Sequence, residues 1–243
     1  MPTPRTLTPR ERILVALDSS TLDEALGLVE RLRPYVGGFK VGLELCTAAG
    51  VPAVVTQIAA AGGAIFLDLK LHDIPNTVAG AVRALGALGS GVRMLTLHCQ
   101  GGSAMLRAAV SAAATLPQRP LLLGVTVLTS VDSALLQNEL GVAAGLEDHV
   151  VAFARMARDC GLDGVIASPQ EVAAIRRACG TDLLIVTPGV RPSWAAAGDQ
   201  RRIMTPGDAL GVGADYLVIG RPLTAAADPV AAAKRLLTEV GSE

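Results

Sequence analysis

Short apolar runs recur along the chain, and most are followed by a polar or glycine-bearing break and then by a stretch with helical spacing. The first run covers residues 13–17 and closes on Asp18. Thr21 and Glu24 then make a capping-box pattern, and Leu22, Ala25, Leu26, Val29 and Leu32 recur on one helical face. Residues 39–41 predict a second strand, with Lys40 inside it and Gly42 at its end. Further strands are predicted at 64–67, 94–97, 121–127, 164–167, 183–186 and 216–219. About eight strand-then-helix units in unbroken alternation predict an α/β protein, a single closed (β/α)8 barrel over residues 12–243. Residues 1–11 form a short N-terminal tail, and a doubly wound open sheet is the alternative architecture.

Composition narrows the picture. The chain has 243 residues, 51% of them hydrophobic but only 2% aromatic, so its core must be built from Ala, Val, Leu and Ile. That suits short parallel strands buried under helices. A net charge of −1 gives no basic field for a nucleic-acid backbone, so an anionic ligand has to be held by a few local residues. Cys46, Cys99, Cys160 and Cys179 show no C-x-x-C pair or regular spacing and read as free thiols of a reducing cytoplasm. From Leu45 to Leu67 no residue is charged, yet Gly50-Val51-Pro52, Gln57 and Gly62-Gly63 break the run. It reads as helix, turn and strand rather than as a membrane span. The N-terminus has no apolar segment of signal-peptide type, and a cytoplasmic protein without a membrane partner is expected.

The chemistry gathers where strands end. Asp68-Leu69-Lys70-Leu71-His72-Asp73-Ile74-Pro75-Asn76-Thr77 follows the third run. Alternation places Asp68 and Lys70 on one side, Asp73 falls just beyond the strand, and Pro75 fits the first turn of a helix. Late in the chain, Thr187-Pro188-Gly189-Val190-Arg191 and Ile219-Gly220-Arg221-Pro222 follow the last two strands, where barrels commonly hold phosphate. Read singly, Arg191 and Arg221 are equally well surface charges beside turns, and for Asp18 a cap of the first helix is the lesser alternative. His98 and Cys99 are neighbours on a strand and face opposite sides, which argues against a Cys–His nucleophile. His149 opens a helical pattern, and Trp194 reads as a loop anchor.

The string DLKLHDIPNTV, residues 68–78, closely resembles the signature of the orotidine 5′-phosphate decarboxylases in their common bacterial form. The resemblance implies a TIM barrel that converts orotidine 5′-phosphate to UMP and CO2, the last step of de novo pyrimidine nucleotide biosynthesis, with no cofactor and no metal. It implies Lys70 as the acid, with Asp68, Asp73 and Lys40 completing a charged catalytic group. Substrate contacts are implied for Asp18, Lys40, Asp68, Leu69, Lys70, Leu71, His72, Asp73, Ile74, Pro75, Asn76, Thr77, Thr129, Arg191, Gln200, Gly220 and Arg221. It further implies a homodimer in which Asp73 enters the neighbouring site. The rivals are a metal-dependent decarboxylase of the 3-keto-L-gulonate 6-phosphate type, which shares D-x-K-x-x-D, and a barrel that binds a phosphorylated metabolite without turning it over. Lys40 speaks against the first, where a carboxylate is expected, and the crowding of three charges at one strand end speaks against the second. Cys99 departs from the small residue usual after the histidine of this family.

Overall fold

A computed structural model describes residues 7–89, 91–195 and 204–241. Among them, eight parallel strands close on themselves in chain order. The order is β1 (Ile13–Ala16), α1 (Leu22–Leu32), β2 (Gly38–Val41), α2 (Leu43–Ala49), α3 (Val51–Ala60), β3 (Ile65–Leu71), α4 (Pro75–Ala84), β4 (Val92–His98), α5 (Gly102–Ala113) and β5 (Leu121–Val125). It continues with α6 (Ser133–Asn138), α7 (Leu146–Asp159), β6 (Gly164–Ile166), α8 (Val172–Cys179), β7 (Leu184–Pro188), α9 (Pro206–Gly211), β8 (Tyr216–Ile219), α10 (Arg221–Thr224) and α11 (Pro229–Gly241). Val15 pairs with Phe39 on one side and with Ile219 on the other, which closes the ring and excludes the open doubly wound sheet. The fold is a TIM barrel.

Alternation along each strand separates two layers. Leu14, Ala16, Phe66, Met94, Leu123, Val186, Tyr216 and Val218 fill the inside of the barrel. Ile13, Val15, Leu67, Leu95, Leu97, Ile185, Leu217 and Ile219 face outward into the helix layer. Both faces are therefore buried, which is why these strands read as continuous aliphatic runs. The uncharged stretch from Leu45 onward folds into α2, α3 and the start of β3. The two helices meet at 101°, and no single described helix is long and apolar enough to cross a membrane. Val54, Val55 and Ile58 of α3 are wholly buried against the barrel.

Several strand ends differ from expectation, among them those of β5 and β3. β5 stops at Val125, and the next residue, Thr126, donates both its backbone N–H and its hydroxyl to the Ile166 carbonyl, at 3.3 and 2.9 Å. β3 continues beyond residue 67 to Leu71, so the charged signature belongs partly to the strand itself. Cys99 also gains a packing reason. A Cβ on Gly124 would lie 2.6 Å from the Cys99 sulfur, so that sulfur occupies the space the neighbouring glycine leaves.

Candidate active site

Towards the C-terminal end the inner layer changes from apolar to charged: Phe66 gives way to Asp68 and Lys70, Met94 to Thr96 and His98, and Ala16 to Asp18. Lys40, inward-facing on β2, places its Nζ 3.1 Å from Asp18 Oδ1 and 3.7 Å from Asp68 Oδ2. Lys70 Nζ lies 2.8 Å from the same Asp68 oxygen. The result is an alternating row, Asp18–Lys40–Asp68–Lys70. Its side chains are 60%, 14%, 12% and 31% exposed in that order, so the Asp68 carboxylate is the buried hinge between two cations. A carboxylate taken from water is tolerated only with its charge and lone pairs satisfied, and here both oxygens are.

Geometry around Lys70 explains how β3 delivers it. Among the described non-glycine residues Lys70 alone has a positive φ, 50°. The register shifts there: β3 advances from Leu67 to Leu71 while β4 advances only from Leu95 to Leu97. This bulge turns the lysine out of the ladder and towards the barrel mouth. Its backbone N–H donates to Thr96 Oγ1 at 2.8 Å, and the Thr96 hydroxyl donates to Asp68 Oδ1 at 3.0 Å. Sequence reasoning passed over Thr96. The available signal was one hydroxyl at an inward position of the otherwise apolar run 94–97.

The remaining expected residues divide into groups. Leu69 and Leu71 pack outward against the helix layer. His72, Asp73, Ile74, Pro75, Asn76 and Thr77 form an exposed tip leading into α4, with Pro75 in its first turn as expected. Asp73 lies on this tip, two residues beyond the end of β3; its Oδ1 accepts the Ile74 N–H at 2.6 Å, and it makes no ion pair among the described residues. Thr129 is exposed in the loop after β5. Arg191 is buried after β7, its N–H bonded to the Met204 carbonyl at 3.0 Å, and Arg221 opens α10. A Cβ on the preceding Gly220 would stand 4.0 Å from Asp18 Oδ2, so the arginine-bearing loop adjoins the outer end of the charged row. Gln200 lies outside the described residues. Asp18 does not cap α1; Thr21 does, accepting the Glu24 N–H.

His72 and His98 stack, with ring centroids 5.4 Å apart. His98 Nδ1 accepts the Gln100 N–H at 3.3 Å. Burial lowers the His98 pKa, and the neighbouring His72 and Lys70 lower it further. Cys99 points the other way, and burial pushes its thiol up to about 12. The pair therefore cannot act as a nucleophile and base. The sign of the His98 shift has a measurable consequence. The unfolded chain protonates this histidine first, so stability is full above about pH 6.5 and declines as pH falls below it. Between pH 7.5 and 5.5 the melting temperature of the parent should drop further than that of His98→Asn, whose amide oxygen can still accept the Gln100 N–H. Equal drops would assign the acid sensitivity elsewhere.

A charged row at the C-terminal mouth of a closed barrel, with two arginine-bearing loops after its last two strands, defines a (β/α)8-barrel enzyme of small anionic substrates. Residues 11–236 match the model of the family described as orotidine 5′-phosphate decarboxylase / HUMPS. A protein of Moorella thermoacetica named orotidine 5′-phosphate decarboxylase is 55% identical over 236 residues, covering 95% of this chain and 92% of that protein. A protein of the same name from Syntrophotalea carbinolica is 51% identical over 238 residues, covering 96% of each. The crystal structure of orotidine 5′-phosphate decarboxylase from Lactobacillus acidophilus superposes with a TM-score of 0.83 at 37% identity, covering 95% of this chain and 99% of that one. The chain belongs to the orotidine 5′-phosphate decarboxylase / HUMPS family.

Proposed function

We infer that the chain is an orotidine 5′-phosphate decarboxylase, a carboxy-lyase converting orotidine 5′-phosphate to UMP and CO2. The observation that carries the reading is the Asp68 carboxylate held between Lys70 and Lys40, at 2.8 and 3.7 Å. Breaking the bond from C6 to the carboxyl carbon leaves an electron pair on C6 with no adjacent group to take it up. The Lys70 ammonium stabilises that charge as it forms and donates a proton to C6, after which the amine regains its proton from water. Asp68 holds Lys70 in place and faces the departing carboxylate, and Lys40 balances the charge of Asp68. Asp18, adjoining Gly220 and Arg221, suits the ribose, and the two arginine loops suit the phosphate. Binding energy from that remote end is available to hold the reacting carbon against Lys70.

The metal-dependent sugar-phosphate reading gains nothing from the geometry, since the ammonium of Lys40 already occupies the space between Asp18 and Asp68. We further propose a cytoplasmic homodimer whose exposed tip carries Asp73 into the neighbouring site. Supporting it, Asp73 makes no ion pair among the described residues, and on the same rim Ile74 is 66% and Leu43 58% exposed. The four cysteines are buried free thiols, as suits a reducing compartment.

The test is loss of orotidine 5′-phosphate absorbance on adding purified protein in the presence of EDTA. Stoichiometric UMP is the expected product. A folded protein that leaves the nucleotide intact would overturn the assignment.

A further inference from the structure

We propose that Thr96 is a positioning residue for the decarboxylation, tying the backbone of the lysine acid to the carboxylate that the acid pairs with; the proposal rests on the decarboxylase reading above. Thr96 is fully buried on the inner face of β4. A hydroxyl buried there is costly unless it is hydrogen-bonded, and this one uses both its donor and its acceptor capacity. An amide N–H can only donate and an ionised carboxylate can only accept. The direction of the chain is therefore fixed: Lys70 N–H to Thr96 Oγ1 at 2.8 Å, then the Thr96 proton to Asp68 Oδ1 at 3.0 Å. Asp68 Oδ2 is left for the Lys70 ammonium at 2.8 Å, with Lys40 behind it at 3.7 Å. Lys70 is thus held at both ends of one closed ring, by its backbone and by its ammonium.

The ring has a purpose that a simple core contact does not have. A lysine at φ 50° persists only where its surroundings over-determine that conformation. Lys70 falls in the register shift between Leu67 and Leu71, and its N–H is met there by the Thr96 side-chain oxygen. Without that oxygen the N–H has no partner in the barrel, and the Asp68 carboxylate is free to rotate between its two ammoniums. Both changes displace the acid from the reacting carbon. Neither touches the ribose and phosphate end, so the loss should fall on kcat and not on nucleotide affinity.

Thr96→Val keeps shape and removes the hydroxyl, Thr96→Ala removes hydroxyl and bulk, and Thr96→Ser keeps the hydroxyl. Turnover of orotidine 5′-phosphate, calorimetric affinity for UMP and melting temperature are measured on the parent and all three. Thr96→Val should lose roughly 10- to 100-fold in kcat, with KM and UMP affinity within about threefold of the parent. Thr96→Ser should stay within about threefold throughout. If Thr96→Val does not fold, Thr96→Ala against Thr96→Ser makes the same comparison. The proposal is overturned if removing the hydroxyl leaves kcat within about threefold, if Ser loses as much as Val or Ala, or if UMP affinity falls in step with kcat. A parent without turnover overturns the decarboxylase reading itself, an outcome distinct from an active parent with an equally active Thr96→Val.

Discussion

Lys70→Ala is expected to lower kcat by roughly four orders of magnitude or more, with the fold and UMP binding preserved. General-acid assistance contributes roughly 10²- to 10⁴-fold, and a donor aimed at developing charge roughly another 10²- to 10³-fold. One ammonium supplies both here, so its removal takes both. Stability should change by no more than about 1 kcal/mol, because the lysine is partly exposed and its ion pair is weakened by solvent. Lys40 also remains beside Asp68 to balance its charge. Alanine keeps a Cβ at the positive φ, so the bulge is neither relaxed nor further strained. Single-turnover kinetics and UMP calorimetry check both halves; residual activity above about one per cent would mean that another group delivers the proton. The same variant tests the shared site. If Asp73 serves the neighbouring subunit, Lys70→Ala mixed with Asp73→Ala forms heterodimers with one intact site, and about a quarter of parental activity returns at statistical exchange. Mixtures that stay inactive while subunits exchange would place Asp73 in its own subunit's site.

The barrel was legible because its strands are buried on both faces, so each announces itself as an aliphatic run closed by a polar residue. Lys40 and Asp68 stood out for the opposite reason, as charges at inward positions of such runs. Alternation placed Asp68 and Lys70 on one side correctly, although the bulge between Leu67 and Leu71 means that simple alternation does not hold through Lys70. No periodicity encodes a bulge, and none announces a positive φ on a lysine. Thr96 escaped for a related reason. Its significance lies in one N–H and one carboxylate oxygen that a neighbouring strand brings to it, and a buried threonine in a strand is ordinarily only a β-branched filler. Asp73 shows the limit from the other side: spacing put it near the row, but spacing cannot say which subunit's row it serves, and within its own subunit it makes no ion pair among the described residues. The loop arginines were placed by the general address of phosphate sites in barrels, and their local sequence alone leaves a surface role open.

Asp68→Asn separates two roles that the geometry gives to one carboxylate. The amide keeps the shape but exchanges a charged acceptor for one acceptor and two donors. With its oxygen towards the ammoniums, its NH2 faces Thr96, whose hydroxyl then accepts from two sides and leaves its own proton unpaired inside the barrel. With the amide reversed, donors face the ammoniums of Lys70 and Lys40. Either way a buried polar group loses its partner, at a stability cost of about 1–3 kcal/mol. Among the described residues of the same subunit, Lys40 then keeps the exposed Asp18 while Lys70 loses its ion-pair partner. A misplaced acid lowers kcat, by roughly 10²- to 10³-fold for a group aimed at developing charge. Affinity carries the discriminating information. If Asp68 also faces the substrate carboxylate, its charge raises the energy of bound orotidine 5′-phosphate and is relieved only as CO2 departs. Neutralising it should then tighten orotidine 5′-phosphate relative to UMP, which lacks that carboxylate, while kcat falls. If Asp68 serves only to hold Lys70, the two affinities should move together. The expected result is the first. The carboxylate touches the acid itself at 2.8 Å, so any substrate group close enough to receive the proton from Lys70 is also close to Asp68.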